Sequence, residues 1–178
     1  MQNKINYFNS FLEEKDYLTL LSIINNIGWN SVGVDTNKDN YSAHFTHTLI
    51  DSKKGIEIKN NQLLNNILNK INKFYKEKYL PHNLYVNYSK YGDDIRIHSD
   101  RITNKKNKTF ILYCTDYWDA NWHGDLIFYN EKYSIIGGTL PYPNTAVCFD
   151  SNILHTVKPV SRDCKIARKA LVFQLEKN

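Results

Sequence analysis

From Leu84 onward, short runs rich in aromatic and β-branched residues follow one another at 84–90, 94–100, 109–115, 125–130, 133–136, 145–149, 153–160 and 167–175, with no helical stretch among them. Such a succession buries its apolar faces by closing into a barrel or stacking as a sandwich. The first part of the chain has a different period. Ser10-Phe11-Leu12-Glu13 has the form of a capping box, and Tyr17, Leu20, Leu21, Ile24 and Ile27 follow at helical spacing until Gly28. Leu64, Ile67, Leu68, Ile71, Phe74 and Tyr75 form a second apolar stripe, with lysines and asparagines opposite and Pro81 as the expected stop. Both stripes are expected to pack on the outer face of a sheet. His44 to Ile50 reads as a strand between polar loops. The class is therefore α+β, mainly β, in a single domain over 1–178, with a helical support region at 1–81 and the β core at 82–175.

Composition is consistent with this. A chain of 178 residues has the length of one domain, and thirteen tyrosines, eight phenylalanines and three tryptophans supply the area to fill a core. Four prolines and seven glycines are too few for a fibrous or disordered chain. No stretch is long and apolar enough for a membrane span, and Met1-Gln2-Asn3-Lys4 does not lead into a signal-peptide core. A cytoplasmic protein is expected, or one in the host cytoplasm if the chain is viral. Cys114, Cys148 and Cys164 are odd in number and widely spaced, which predicts reduced thiols that behave as small hydrophobes. The net charge of +5 is spread along the chain and does not mark a nucleic-acid surface.

The chemistry is concentrated in His98-Ser99-Asp100, in His155 and in Arg168. Alternate residues of a strand point to one side, so His98 and Asp100 can reach a common metal while Ser99 faces away. Two imidazoles and a carboxylate can occupy one face of an octahedral Fe(II) ion, leaving positions open for a chelating cosubstrate and oxygen. On the last strand Arg168, Ala170, Val172 and Gln174 share a face, and the other face, Lys169, Leu171, Phe173 and Leu175, suits packing under the helices. Arg168 is thus expected inside the barrel, where it needs either a bound carboxylate or an internal ion pair. His44 and His47, three apart on a strand, point to opposite faces and are read as ordinary strand residues, as are the isolated His82 and His123.

Tyr85-Val86-Asn87 with Tyr91-Gly92, His98-Ser99-Asp100, Leu112-Tyr113, Tyr117 to Asp125, Pro141 to Phe149, His155 and Ser161 to Arg168, taken in order, resemble one family. The chain is similar to the Fe(II)/2-oxoglutarate-dependent oxygenases, in particular small phage and bacterial members related to prolyl hydroxylases. That resemblance implies a cupin-like jelly-roll, or double-stranded β-helix, over the β core, with Fe(II) held by His98, Asp100 and His155. It implies 2-oxoglutarate as cosubstrate, anchored by Arg168 and Tyr113, with Tyr88 near its proximal end. It also implies O2 as co-reactant and ascorbate as a supporting reductant, and oxidative decarboxylation coupled to hydroxylation of an unactivated C–H bond, with no separate protein nucleophile or base. Where relatives usually carry Gly-Gly, this chain has His123-Gly124. Arg162 matches phage-type relatives and is expected in a loop salt bridge.

Three classes of function are open at this point. A hydroxylase of a peptide, protein (prolyl-type) or amino-acid-like substrate follows from the prolyl-hydroxylase pattern. An oxygenase of another small molecule or of nucleic acid is the second; dealkylases of the AlkB type carry a second arginine six residues after the first, whereas here Gln174 stands there, so nucleic acid is not the expected partner. A non-catalytic cupin-like metal-binding protein is the third, and it predicts a missing ligand or anchor, whereas all four positions are filled. The aromatic group Tyr117, Trp118 and Trp122 fits either a substrate rim or the core. The loops Asp35 to Asn40, Arg101 to Lys108 and Asp116 to His123 are expected to select the substrate.

Overall fold

The computed structural model describes residues 5–32, 42–51, 61–100 and 107–178. Of the expected rim loops, Asp35 to Asn40 and 101–106 lie outside these residues, while Asn107 and Lys108 already belong to a strand. The order is β1 (Ile5–Phe8), α1 (Glu14–Asn25), β2 (Asn30–Val32), β3 (Ser42–Asp51), α2 (Gln62–Tyr75), β4 (Tyr79–Ser89), β5 (Asp94–His98), β6 (Asn107–Tyr113), β7 (Leu126–Tyr129), β8 (Ile135–Thr139), β9 (Ala146–Asp150), β10 (Leu154–Val157) and β11 (Arg168–Lys177). All eight strands expected after Leu84 are present; β1 carried no signal strong enough to separate its four residues from a loop.

Strand neighbours run β1-β9-β6-β11-β4-β3-β5-β10-β7-β8, with β2 on β3. All these pairings are antiparallel. The path folds over where β3 pairs with β4 along most of its length and with β5 only at Ser42 and Ala43. A major sheet (β1, β9, β6, β11, β4, β3) thus faces a minor one (β5, β10, β7, β8). At the other end Tyr7 of β1 comes so near Gly137 of β8 that a Cβ there would lie 2.7 Å from its hydroxyl.

Two cores result from the strand period of two. Leu171, Phe173 and Leu175 of β11, with Leu84, Val86, Phe110 and Leu112, pack outward under Leu20, Ile24, Ile67 and Ile71 of the helices. Ala170 and Val172, with Ile111, Tyr113, Val147 and Phe149, face inward against Ile95, Leu126, Phe128 and Val157 of the minor sheet. The expected placement of the helices and the expected parity of β11 both hold. β6, covered on both sides, is buried at every position.

At two places the local structure differs from the expected one. Ser10 does not cap α1: it has φ 47°, and Glu13 stands at the N-cap without a side-chain bond. The preceding backbone is instead held from across the fold by Asn144, whose side chain accepts from Leu12 N and donates to Leu12 O, both at 2.8 Å. α2 is capped by Asn61, which accepts from Leu64 N, and ends at Lys76 in the left-handed conformation. Pro81 therefore does not stop the helix. It lies within β4, at the bulge between Gln174 and Leu175 of β11, where a missing N–H is tolerated.

Candidate active site

His98 ends β5, and His155 lies directly opposite it on β10, the two rings 4.3 Å apart. Asp100 follows two residues after His98 and reaches both imidazoles: its Oδ1 is 3.6 Å from His98 Nε2, and its Oδ2 is 3.5 Å from His155 Nε2. One donor atom from each of the three lies within 4.8 Å of the others, an arrangement that could hold a metal ion.

The tautomers are fixed by the backbone. His98 Nδ1 is 2.8 Å from the Arg96 carbonyl, and His155 Nδ1 is 3.0 Å from that of Ile153. A carbonyl only accepts, so each Nδ1 carries a proton, and in the neutral ring Nε2 presents its lone pair to Asp100. Two such lone pairs converging on a carboxylate repel unless a cation or a proton stands between them. Burial opposes protonation of His98, but its hydrogen bond to Asp100, that carboxylate's charge and the Arg96 carbonyl outweigh this and raise its pKa. His155 is more enclosed, and burial lowers its pKa despite the same carboxylate. Burial would raise the pKa of Asp100, yet the hydrogen bond from His98, both imidazole charges and the Thr109 hydroxyl pull it down to about 2. The carboxylate is therefore ionised at any physiological pH.

The second feature is the guanidinium of Arg168, 1% exposed and on the inner face of β11. Its Nε donates to the Gly124 carbonyl at 2.9 Å, and its Cζ lies 5.1 Å from the centre of the Tyr113 ring. No carboxylate among the described residues pairs with it; Asp125 acts on it only at longer range. Burial, against the pull of Tyr113 and Asp125, lowers its pKa. The Tyr113 phenol is pushed up to about 12 by burial, with Arg168 opposing, so it is a neutral donor. Its hydroxyl has no hydrogen-bond partner, and neither do Asn87 Oδ1 and Ser89 Oγ, all three atoms being buried. Register brings them together: Ala170 faces Tyr113 on one side and Asn87 on the other, and Arg168 faces Ser89. A buried cation without a carboxylate partner, on the same sheet face as the two unpaired hydroxyls of Tyr113 and Ser89, fits an anionic, oxygen-rich ligand.

Residues 85–174, half of the chain, match the sequence pattern of the 2OG-Fe(II) oxygenase superfamily. The chain belongs to that superfamily. It is therefore an oxygenase, of a family defined by Fe(II), 2-oxoglutarate and O2. No curated protein sequence matches it. Solved structures that share its fold include a Pseudomonas putida prolyl-4-hydroxylase, 14% identical, with a TM-score of 0.71 over 99% of this chain and 94% of that one. A Trichoplax adhaerens prolyl hydroxylase in complex with a hypoxia inducible factor peptide is 15% identical, TM-score 0.70, covering 99% and 84%. A viral collagen prolyl hydroxylase from Paramecium Bursaria Chlorella virus-1, solved with 2OG, is 15% identical, TM-score 0.63, covering 98% and 96%. At such identities the likeness establishes the double-stranded β-helix fold.

Of the residues singled out in the sequence of this oxygenase, the structure brings together His98, Asp100 and His155, and separately Arg168 and Tyr113. Tyr88 is not among them. It shares the outer parity of β4 with Leu84 and Val86, and its ring lies 4.9 Å from Trp29 and 6.0 Å from Phe45. Ser89 and Asn87, one residue to either side, take the inner positions. Strand parity relative to Leu84 and Val86 was the signal that could have found them. Arg162 is exposed and makes no ion pair among the described residues, contrary to the loop salt bridge expected of it. The aromatics divide: Trp118 is buried and donates to the His123 carbonyl at 3.0 Å, Trp122 is half-buried, and Tyr117 is 58% exposed. His47 bonds the Gly28 carbonyl at 2.6 Å, as an ordinary strand residue would.

Proposed function

We propose that His98, Asp100 and His155 hold Fe(II), that Arg168 and Tyr113 receive the distal carboxylate of 2-oxoglutarate beside Ser89 and Asn87, and that the enzyme hydroxylates an unactivated C–H bond of a peptide, protein or amino-acid-like substrate. The observation that carries this reading is the convergence of two backbone-locked imidazoles on an ionised, buried carboxylate, which leaves three lone-pair donors facing one point. When bound, the metal with its cosubstrate supplies the oxidising chemistry, in which 2-oxoglutarate and O2 yield succinate, CO2 and a hydroxylated product.

The protein's own residues bind and orient. The Arg96 and Ile153 carbonyls hold the two rings so that Nε2 is the ligand atom. The Arg168 fork matches a carboxylate in charge and geometry, and the Tyr113 phenol, neutral at physiological pH, donates to it. Phe149 and Phe128 pack on His155 at 4.8 and 6.3 Å and exclude water from that side. Ascorbate is the expected supporting reductant. The substrate class rests on the fold shared with prolyl hydroxylases and on the absence of a second arginine at position 174. Purified protein is to be incubated with Fe(II), 2-oxoglutarate and ascorbate, with proline-containing peptides and free amino acids in one arm and methylated oligonucleotides in the other. Succinate release coupled to a mass gain of one oxygen is expected in the first arm; product from oligonucleotides alone overturns the substrate class.

A further inference from the structure

At the end of the major sheet's inner face away from Arg168, a polar row crosses three strands. Asn83 of β4, Gln174 of β11 and Thr109 of β6 are direct register partners on three adjacent strands. All three turn toward Asp100 or toward each other. Asn83 Nδ2 donates to Gln174 Oε1 at 2.7 Å, and Gln174 Nε2 reaches Asp100 Oδ1 at 3.2 Å and the Tyr85 hydroxyl at 3.4 Å. Thr109 Oγ1 donates to Asp100 Oδ2 at 2.8 Å and is backed by Ser151 Oγ at 3.0 Å. The Asp100 side chain is 8% exposed. The two histidines come from the minor sheet, and both donors to the carboxylate come from the major sheet.

The orientation of the Gln174 amide follows from what each neighbour can accept. The NH2 end of Gln174 faces Asp100 and its oxygen end accepts from Asn83, so both ends of the amide are used. A free glutamine side chain would lose rotamer entropy to hold this pose; the Asn83 bond fixes it in advance. Thr109 and Gln174 together clasp one oxygen each, so the carboxylate plane is set before any cation arrives. We propose that Gln174, oriented by Asn83, is a positioning residue that with Thr109 fixes the Asp100 carboxylate for metal binding. This rests on the reading of Asp100 as a metal ligand.

The test uses Co(II) as probe on the full chain under anaerobic conditions, read by its visible absorption and by titration. Removal of such an outer partner of a metal ligand typically weakens metal binding about 10- to 100-fold. Gln174→Met keeps length and volume and removes the donor; about tenfold weaker Co(II) binding and an altered absorption band are expected, with the circular dichroism of the folded protein retained. Asn83→Ala is expected to weaken binding less, by about threefold. Because Asn83 acts through Gln174, the double variant should bind no worse than Gln174→Met, a non-additivity that a general loosening of the fold does not produce. His155→Ala runs alongside. If it abolishes Co(II) binding while Gln174→Met stays within about twofold of the unaltered protein, the positioning role is overturned and the metal reading stands. If His155→Ala binds Co(II) normally, the metal reading falls and this inference with it. Multiplying losses in the double variant overturn the orienting role of Asn83, and Asn83→Ala keeps the test open should Gln174→Met fail to fold.

Discussion

The two faces of β11 carry different kinds of residue at alternating positions. Outward, Leu171, Phe173 and Leu175 are fully buried beneath two helices in an apolar cluster. Inward, Ala170 and Val172 do the same, but the positions flanking them are Arg168, whose charge has no partner carboxylate among the described residues, and Gln174, which reaches a buried anion. The outer face packs into an apolar cluster, and on the inner face the hydroxyls of Tyr113 and Ser89 and the charge of Arg168 stand without partners among the described residues. Burial of one large apolar side chain contributes about 1.5–3 kcal/mol, whereas a buried polar group without a partner costs about 1–3 kcal/mol. The outer core is therefore what makes the unsatisfied inner pocket tolerable, and the cost is tolerated where a ligand is to be received.

The sharpest break in this comparison is expected at His155. Its ring packs against Phe149 and Phe128, so His155→Ala trims the inner core, but its larger effect falls on the metal. Complete loss of Fe(II) binding and of 2-oxoglutarate turnover is expected, with the circular dichroism of a folded protein retained. Full turnover would remove this histidine from the ligand set. Phe173→Ala on the outer face should do the reverse. Its ring is 0% exposed and lies 6.0 Å from that of Phe110, so about 3–5 kcal/mol of stability should be lost in denaturant titration. The fraction that remains folded should bind metal as before. If metal affinity falls in step with stability, the two faces are not independent.

Arg168→Met tests the inner face at its other end. A bound dicarboxylate would be left beside Tyr113 with no cation, at a cost of roughly 2–5 kcal/mol in cosubstrate affinity if it behaves as other broken buried charge pairs. Metal binding should be retained. An unchanged affinity for 2-oxoglutarate places the anchor elsewhere, with Lys165 and Arg162 the next cations to replace.

Much of this division was legible in the sequence because it rests on period. The alternation from Arg168 to Leu175 separates inward from outward residues, and His98 and Asp100 do converge, although β5 ends at His98 and Asp100 follows it outside the strand. What was not legible depends on register between strands distant in the chain. The sequence places Gln174 on the Arg168 face and shows that no second arginine stands there; its contact with Asp100 needs β11 aligned with β4 and β6, 91 residues from Asn83. Tyr88 was misplaced for a related reason: its neighbours Leu84 and Val86 fix its parity only once the helices are known to cover their side. Ser10 failed as a cap because Asn144, 132 residues away, already serves the backbone at Leu12.

The smallest expected effect concerns the dipeptide His123-Gly124, which joins the two regions by holding Arg168. His123 has φ 56° and ψ −135°, a region that suits glycine, and its carbonyl accepts from Trp118 while the Gly124 carbonyl accepts from Arg168. Strain of about 1–3 kcal/mol is stored at such a position. Replacing His123 by glycine releases it but frees the unfolded chain by roughly 0.4–1 kcal/mol, so a net gain of about 1 kcal/mol is expected in thermal or denaturant unfolding. At Gly124 the sign reverses. Its φ is +73°, and a Cβ there would lie 3.1 Å from Trp118 and 3.2 Å from Arg168 Cδ. Arg168 is buried and bonded to the same residue, so it cannot yield without losing that bond. Gly124→Ala should therefore both destabilise the fold and weaken 2-oxoglutarate binding, while His123→Gly should stabilise the fold and leave the cosubstrate where it is. Equal signs at the two positions would mean that the turn does not hold Arg168 in place, and the coupling between rim and anchor would have to be sought at Trp118 instead.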